Sequence, residues 1–296
     1  MYELIRLSEH DYYVDCPSKI GLVRFGDSSV AAIDSGNNRD AAKKVLKHIE
    51  ANGWQLAAVY ITHSHADHIG GCRLLQDRTG CRVYARGMEC DFTNHTLLEP
   101  MTLYGGFPPE ELRRSRFLTA QECHAEPLTE DVLPEGMAFF ALPGHSYDMV
   151  GFRTADGNAF IADSVSSAET LRKYGVGYLW DVGAQLRTLE LLPSLEAQRF
   201  IPAHAPVSEE IGTLARLNAD AVRGVAAQIL ALCAEPTGFD GLLKRVFDVY
   251  GMTMTAEQHA LIGNTLRSYL SWLKAEGKAE CRIEENRMLW QRVGAD

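Results

Sequence analysis

No stretch of this sequence stays apolar for the ~18 residues that a membrane-spanning helix requires. Positive charge is also short: 29 Lys and Arg face 39 Asp and Glu, a net charge of −10. A chain this acidic lacks the clustered cations that attract phosphate backbones or anionic membrane surfaces. An acidic substrate can still be met by a bound metal, which brings local positive charge without Lys or Arg. Paired cysteines are missing too. The seven (Cys16, Cys72, Cys81, Cys90, Cys123, Cys233 and Cys281) are scattered, odd in number and form no CxxC, so a complete disulfide framework is excluded. Glu3, Arg6, Glu9 and Asp11 stand where a signal peptide would have a basic stretch and then an apolar one. A reduced, cytoplasmic protein with mostly buried thiols is the expectation.

What is present fits a globular chain of 296 residues, 46% apolar and 23% charged, long enough for one large domain and a small one. Lys19 to Phe25, Ser29 to Asp34 and Leu56 to Thr62 read as strands, the last as a continuous buried one. Between them, Arg39 to Asn52 carries a helical stripe of Ala41, Val45, Leu46 and Ile49, stopped by Gly53. Gly70 to Gly80 reads as a short helix and Arg82 to Ala85 as a strand. Strand, helix and strand in alternation predict an α/β layered domain.

From Gly87 to Pro134 the periodicity fades, apart from a charged helix around Glu110 to Phe117. An excursion of that length within a compact domain suits a wall or lid over a site, or a structural insertion. Strands return at Met137 to Leu142, Val150 to Thr154 and Ala159 to Ala162, the last two joined by an Asp156-Gly157 turn. A helix at Ala184 to Leu192 and a strand at Arg199 to Pro202 follow. After Pro206 the pattern changes to helices near Glu209 to Cys233, Phe239 to Tyr250 and Thr255 to Glu276. A hairpin, Ala279 to Ile283 with Arg287 to Arg292, turns at Glu284-Glu285-Asn286. That order suits a winged-helix-like module, and divides the chain into residues 1–207 and 208–296.

The chemistry concentrates in Thr62-His63-Ser64-His65-Ala66-Asp67-His68, directly after a buried strand. Imidazole nitrogen is the commonest neutral ligand of zinc, and carboxylates complete or bridge such sites. In a turn past a strand, His63 and His65 can point to one side while Asp67 and His68 reach a second metal. Three further candidates also follow strands: His145 after Leu142-Pro143-Gly144, where Gly144 permits a tight turn, Asp163 after Phe160-Ile161-Ala162, and His204 after Ile201-Pro202-Ala203. His10, His48, His95 and His259 have no ligand-type neighbours and read as surface or satisfied groups. His124, flanked by Glu122 and Glu126, is the one other histidine placed where a substrate could meet it.

In order and spacing, residues 15 to 207 resemble the metallo-β-lactamase superfamily, whose HxHxDH signature is followed by separate His, Asp and His ligands. The resemblance implies a four-layer αβ/βα sandwich. It also implies one metal at His63, His65 and His145, a second at Asp67, His68 and His204, and Asp163 bridging them, with two zinc ions as cofactors and iron or manganese as substitutes. Asp67 is implied to orient the attacking hydroxide as well. Two cations ~3.5–4 Å apart make a bridging hydroxide available at neutral pH. The lactamases of the superfamily usually carry Cys or Ser where this chain has Asp163, which argues against antibiotic hydrolysis. The flavo-diiron branch replaces the second motif histidine with Glu, so His65 argues against redox chemistry. Glyoxalase-II-like thioesterases and the nuclease and phosphodiesterase branches keep all seven residues.

The segment Leu266 to Lys278 resembles the C-terminal module of the lactamase-β-2-like branch, some of whose members cut single-stranded RNA. Trp272, Leu266, Leu270 and Leu273 read as core rather than base-stacking platforms. From Thr237 to Asp296 eight Lys and Arg balance eight Asp and Glu, and Glu284-Glu285 at the hairpin tip has the wrong sign for a phosphate backbone. The module is therefore expected to be structural, to dimerise, or to complete the substrate pocket. Hydrolysis of a small thioester, lactone or similar carbonyl compound is favoured. The alternative is a phosphodiesterase or endoribonuclease acting on RNA or nucleotides, and a metal-binding sensor is the non-enzymatic reading. Tyr178-Leu179-Trp180-Asp181 is placed to line the pocket, and Arg113, Arg114 and Arg116 read as a solvated helix face.

Overall fold

In a computed structural model, which describes residues 2–294, the chain builds two facing sheets with helices on their outer sides. Residues 1, 295 and 296, which close the expected 1–207 and 208–296 units and include Asp296 of the charge balance, lie outside the described residues. The first sheet has seven strands in chain order. It opens with β1 (Glu3–Arg6), β2 (Asp11–Asp15), β3 (Ile20–Phe25) and β4 (Ser29–Ile33), an antiparallel meander. After α1 (Arg39–Ala51) comes β5 (Gln55–Tyr60), parallel to β4. The chain then runs through α2 (Ala66–Ile69), α3 (Cys72–Thr79), β6 (Arg82–Ala85), α4 (Gly87–Asn94), α5 (Leu98–Tyr104), α6 (Glu110–Arg113) and β7 (Ala125–Pro127). The second sheet contains β8 (Ala138–Ala141), β9 (Val150–Arg153) and β10 (Asn158–Ser166), and, beyond α7 (Ala168–Tyr174) and α8 (Val182–Leu191), β11 (Arg199–His204) parallel to β10.

The alternation along the strands sorts the layers. In β4, Val30 and Ala32 face the helix layer with Ala41, Val45 and Ile49 of α1, whereas Ala31 and Ile33 face the other sheet with Phe152, Phe160 and Ile201. Helix α1 starts where the sequence requires: the Asn38 side chain accepts from the Asp40 and Ala41 amides. The outcome is the four-layer αβ/βα arrangement expected.

Several elements differ from the sequence expectation. The helix expected at 70–80 is present as α3, closing on Gly80 in the left-handed region, but a further short helix, α2, precedes it and carries Asp67 and His68. The excursion at 87–134 carries, besides the helix expected near Glu110 (α6), two further short helices, α4 and α5. These helices are four to eight residues long, too short to show a repeating stripe and stable only through tertiary packing. Leu103, Leu112 and Leu118 there cluster with Ala260, far along the chain.

The C-terminal part consists of α9 (Gly212–Leu232), β12 (Thr237–Gly238), α10 (Phe239–Tyr250), α11 (Ala256–Ala275), β13 (Ala279–Glu284) and β14 (Arg287–Arg292). β12, too short to read from sequence, pairs with β14, which pairs with β13. Glu285 and Asn286 both take positive φ, the two-residue turn that suits a hairpin. Leu266, Leu270 and Leu273 share one core with Leu142, Ile161 and Val165 of the second sheet, and Trp272 packs on its margin. The apolar packing is thus continuous across position 207. No helix among the described residues is long and apolar enough to cross a membrane.

One buried carboxylate ties the sheets together and gives a pH test. Asp11, 1% exposed, accepts from Thr154 Oγ1 and Asn158 Nδ2. Burial raises its pKa, outweighing those bonds. A raised carboxyl pKa contributes stability that is present in full below the unfolded-state value and lost as pH rises through the folded one. Asp11→Asn removes that penalty and keeps an acceptor oxygen. It should raise Tm at pH 7 by roughly 1–3 °C, with the advantage gone below pH 4. Thermal scans at the two pH values decide it; a variant less stable at pH 7 contradicts the assignment.

Candidate metal centre

The strand ends bring all seven predicted side chains to one edge of the two sheets. His63 and His65 lie just beyond the end of β5, in the turn that enters α2, and α2 itself carries Asp67 and His68. His145 follows β8 through Gly144, whose φ of +128° and close approach to the Gln185 backbone leave no room for a Cβ. Asp163 lies within β10 just after Ala162, which takes a φ of +48° where the register against β11 shifts. That irregularity turns the carboxylate into the site. His204 ends β11.

The donor atoms converge. His65 Nδ1 lies 3.0 Å from His63 Nε2 and 3.0 Å from His145 Nε2. His204 Nε2 lies 3.2 Å from Asp67 Oδ2, and His68 Nε2 lies 3.6 Å from that same oxygen. Asp163 stands between the two groups: Oδ1 is 3.2 Å from His68 Nε2, while Oδ2 is 3.4 Å from His145 Nε2 and 3.2 Å from His204 Nε2. His63–His65–His145, His63–His68–Asp163 and Asp67–His68–His204 each gather their donor atoms within 4.8 Å of one another. His68 Nε2 and Asp163 Oδ1 are buried without a hydrogen-bond partner, an arrangement that a bound cation satisfies.

Neighbouring groups fix which nitrogen each ring offers. Thr62 Oγ1 donates to Asp34 Oδ2 and therefore accepts from His63 Nδ1, 3.1 Å away, leaving Nε2 free. His68 Nδ1 donates to Asp34 Oδ2 at 2.8 Å, and His204 Nδ1 to the Pro17 carbonyl at 2.9 Å. Asp34, at a φ of +63°, also accepts from the Thr62 amide. Ser18 Oγ donates to Asp67 Oδ2 at 2.7 Å. Burial holds His65 and His145 down at about 4, and His63 well below its ordinary value, so these three imidazoles present lone pairs. Burial opposes the charge on Asp163, but His204 and His68 hold its carboxyl well below the usual range. Asp163 in turn raises His204 to about 10. Negative charge is thus concentrated where the second triad meets Asp163, which favours a cation.

A second carboxylate framework is not legible in the sequence. Glu89 of α4, 0% exposed, accepts from the Ser64 amide and hydroxyl through Oε2, and from Ser146 Oγ and the Asp148 amide through Oε1. It therefore fastens the His63–His65 turn to the His145 turn. Glu99 of α5 places Oε1 3.7 Å from His65 Nε2, and burial pushes its carboxyl up to about 8. The ring of Tyr178 stands edge-on to His65 and His145, with centroids 5.3 and 5.8 Å away. No periodicity or spacing marks Asp34, Glu89 or Glu99, because their partners are distant in sequence.

The remaining histidines stay apart. His10 bonds Asp156, His48 bonds the Tyr2 carbonyl, and His95, His124 and His259 are exposed. The exposure of His124 leaves it outside the cluster. Arg113 lies over the Phe107 ring and Arg114 pairs with Glu110, as a solvated face would. A cavity of about 650 Å³ bounded by Arg153, Glu196 and Glu209 involves none of the seven residues.

A sandwich with a His/Asp cluster at one sheet edge defines a candidate metal-binding centre on a layered fold. The chain belongs to the metallo-beta-lactamase superfamily, which residues 13–204 match. Among similar proteins, a hydroxyacylglutathione hydrolase of Bradyrhizobium sp. (strain ORS 278) is 30% identical over 154 residues, half of each chain. Another from Methylococcus capsulatus is 26% identical over 62% of this chain and 57% of its own. The chain thus spans about half the length of these curated relatives. A metallo-beta-lactamase family protein from Thermus thermophilus shares the fold, with TM-score 0.71 and 17% identity over 93% of this chain and 94% of that one. A beta-lactamase domain protein from Burkholderia ambifaria does so with TM-score 0.71 and 16% identity over 98% and 94%.

Asp34→Asn should lower metal affinity by about 10–100-fold, because it disturbs the orientation of His63 and His68 at once. Titration against a competing chelator measures this; an unchanged affinity contradicts the positioning role of Asp34.

Proposed function

We propose that this protein hydrolyses thioesters or related small carbonyl compounds with two zinc ions. His63, His65 and His145 would hold one ion, Asp67, His68 and His204 the other, and Asp163 both. The observation that carries this reading is Asp163 Oδ1 and Oδ2 lying within 3.4 Å of histidines from both triads. Bound metals would supply a hydroxide at neutral pH and a Lewis acid for the scissile carbonyl. Asp67, whose Oδ2 is held by Ser18 and His204, would orient the attacking hydroxide. Its side chain is 40% exposed, so water reaches it, whereas Tyr178 covers His65 and His145 on the other side. The relatives named hydroxyacylglutathione hydrolase support the choice, since an acylglutathione is a thioester.

A polyanionic substrate is disfavoured by charge. Asp34 and Glu89 add buried carboxylates behind the cluster. The C-terminal part has the strand and helix order of a winged helix, but its balanced charge suits a wall of the pocket better than a nucleic-acid reader. Protein reconstituted with zinc or manganese should turn over acyl thioesters or lactones well above bis-p-nitrophenyl phosphate. Preference for the phosphodiester would overturn the proposal in favour of a nuclease-type activity.

A further inference from the structure

The geometry points to a substrate-recognition subsite for a secondary amide, built by Glu99, Tyr147 and Tyr178 beside His65. This rests on the carbonyl-hydrolase reading and names a feature of its substrate. Glu99 is 6% exposed, and its Oε2 has no hydrogen-bond partner; neither do the hydroxyls of Tyr147 and Tyr178, although all three atoms are buried. Buried polar groups are rarely left unpaired, and a cluster of them beside a reactive centre suits a polar occupant. Glu99 reaches this position because α5 runs beside the site, its Oε1 3.7 Å from His65 Nε2. The Tyr178 ring lies against His65 and His145. Tyr147 lies between the rings of Phe92 and Trp180, at 4.6 and 4.5 Å, and Trp180 is 37% exposed, so the aromatic wall continues to solvent.

The composition of the cluster selects the ligand. A carboxyl oxygen accepts, and each phenol can donate. A secondary amide satisfies both kinds at once, its N–H directed to Glu99 and its carbonyl to a tyrosine hydroxyl. A hydrocarbon would leave all of them unpaired. The C-terminal part holds this wall in place. Thr265 Oγ1 accepts from the Leu179 amide at 3.3 Å, and Ser268 Oγ donates to the Trp180 carbonyl at 2.7 Å. Tyr178 and Leu261 pack on the Leu103–Leu112–Leu118–Ala260 cluster that joins the excursion to α11.

The test uses matched probes that differ by one N–H: the S-acetyl thioester of N-acetylcysteamine against that of 2-mercaptoethyl acetate. A second pair, N-acetylglycyl against acetoxyacetyl thioesters, places the amide on the acyl side and shows which half of the substrate carries it. Wild-type protein should favour the amide of at least one pair by about tenfold in kcat/KM, mostly through KM. Glu99→Leu should abolish the preference, Glu99→Gln, which keeps an acceptor oxygen, should retain it within about threefold, and Tyr178→Phe should weaken it; metal content should stay at the wild-type level in all three. Binding of the non-hydrolysable S-methyl thioethers, followed by Trp180 fluorescence with Trp180→Phe as control, gives an independent readout. If no thioester is hydrolysed but the amide thioether binds about tenfold tighter and loses that margin in Glu99→Leu, the subsite stands and the thioesterase reading falls. Equal handling of both members of each pair by the wild type, a preference that survives Glu99→Leu, or loss of metal from that variant overturns the subsite.

Discussion

On the proposed two-metal reading, Asp163→Ala should reduce hydrolysis by on the order of 10³-fold and retain about one metal equivalent against two expected for the wild type. The carboxylate oxygens of Asp163 contact His68, His145 and His204, which come from both triads. Removing it leaves His63, His65 and His145 able to hold an ion through nitrogen alone. The second triad loses the negative charge that keeps His204 and His68 paired with it, and should empty first. Metal analysis on purified variant protein, alongside steady-state kinetics, is the measurement. Two equivalents retained, with turnover near the wild-type level, would contradict the bridging role.

The second large effect is expected at a residue that touches no metal ligand directly. Glu89→Gln should destabilise the protein by about 3 kcal/mol, a fall in Tm of roughly 6–12 °C. The change is nearly isosteric, so volume cannot explain a loss. What changes is hydrogen-bond polarity. Each Glu89 oxygen accepts two bonds, from Ser64 on one side and from Ser146 and Asp148 on the other. In Gln one end becomes an NH₂ facing two donors in a fully buried place, and a donor left unpaired there bears its full desolvation cost. Because Ser64 separates His63 from His65 and Ser146 follows His145, metal affinity should fall with stability. A Glu89→Gln protein that melts within about 2 °C of wild type would show that these four bonds are dispensable.

These two residues also show how far the sequence can be read. Asp163 is legible because it ends an apolar run that reads as a strand, in order with His145 and His204. Glu89 sits in Gly87-Met88-Glu89-Cys90-Asp91-Phe92, where nothing distinguishes it from a surface glutamate. Its burial follows from α4 lying beside the ligand turns, a helix whose length of eight residues leaves no periodic stripe. The same reason hides α5 and Glu99. Strands such as β4 and the last half of β5 are legible because burial on both faces makes them continuously apolar, and α1 because Asn38 caps a regular stripe. β12 is not, because two residues carry too little pattern to separate from loop.

By itself the sequence determined the candidate ligand types, their order and the layered α/β class, since HxHxDH is a local feature set in six consecutive residues by the turn after β5. Tertiary structure alone decided the rest. The left-handed backbone at Ala162 that turns Asp163 inward, the Asp34 and Glu89 carboxylates that fix the rings and their turns, and the unpartnered Glu99, Tyr147 and Tyr178 beside them all depend on contacts between segments far apart in the chain. Propensity and spacing act over a few residues, whereas hydrogen-bond partners and burial are settled only when sheets and helices close on one another.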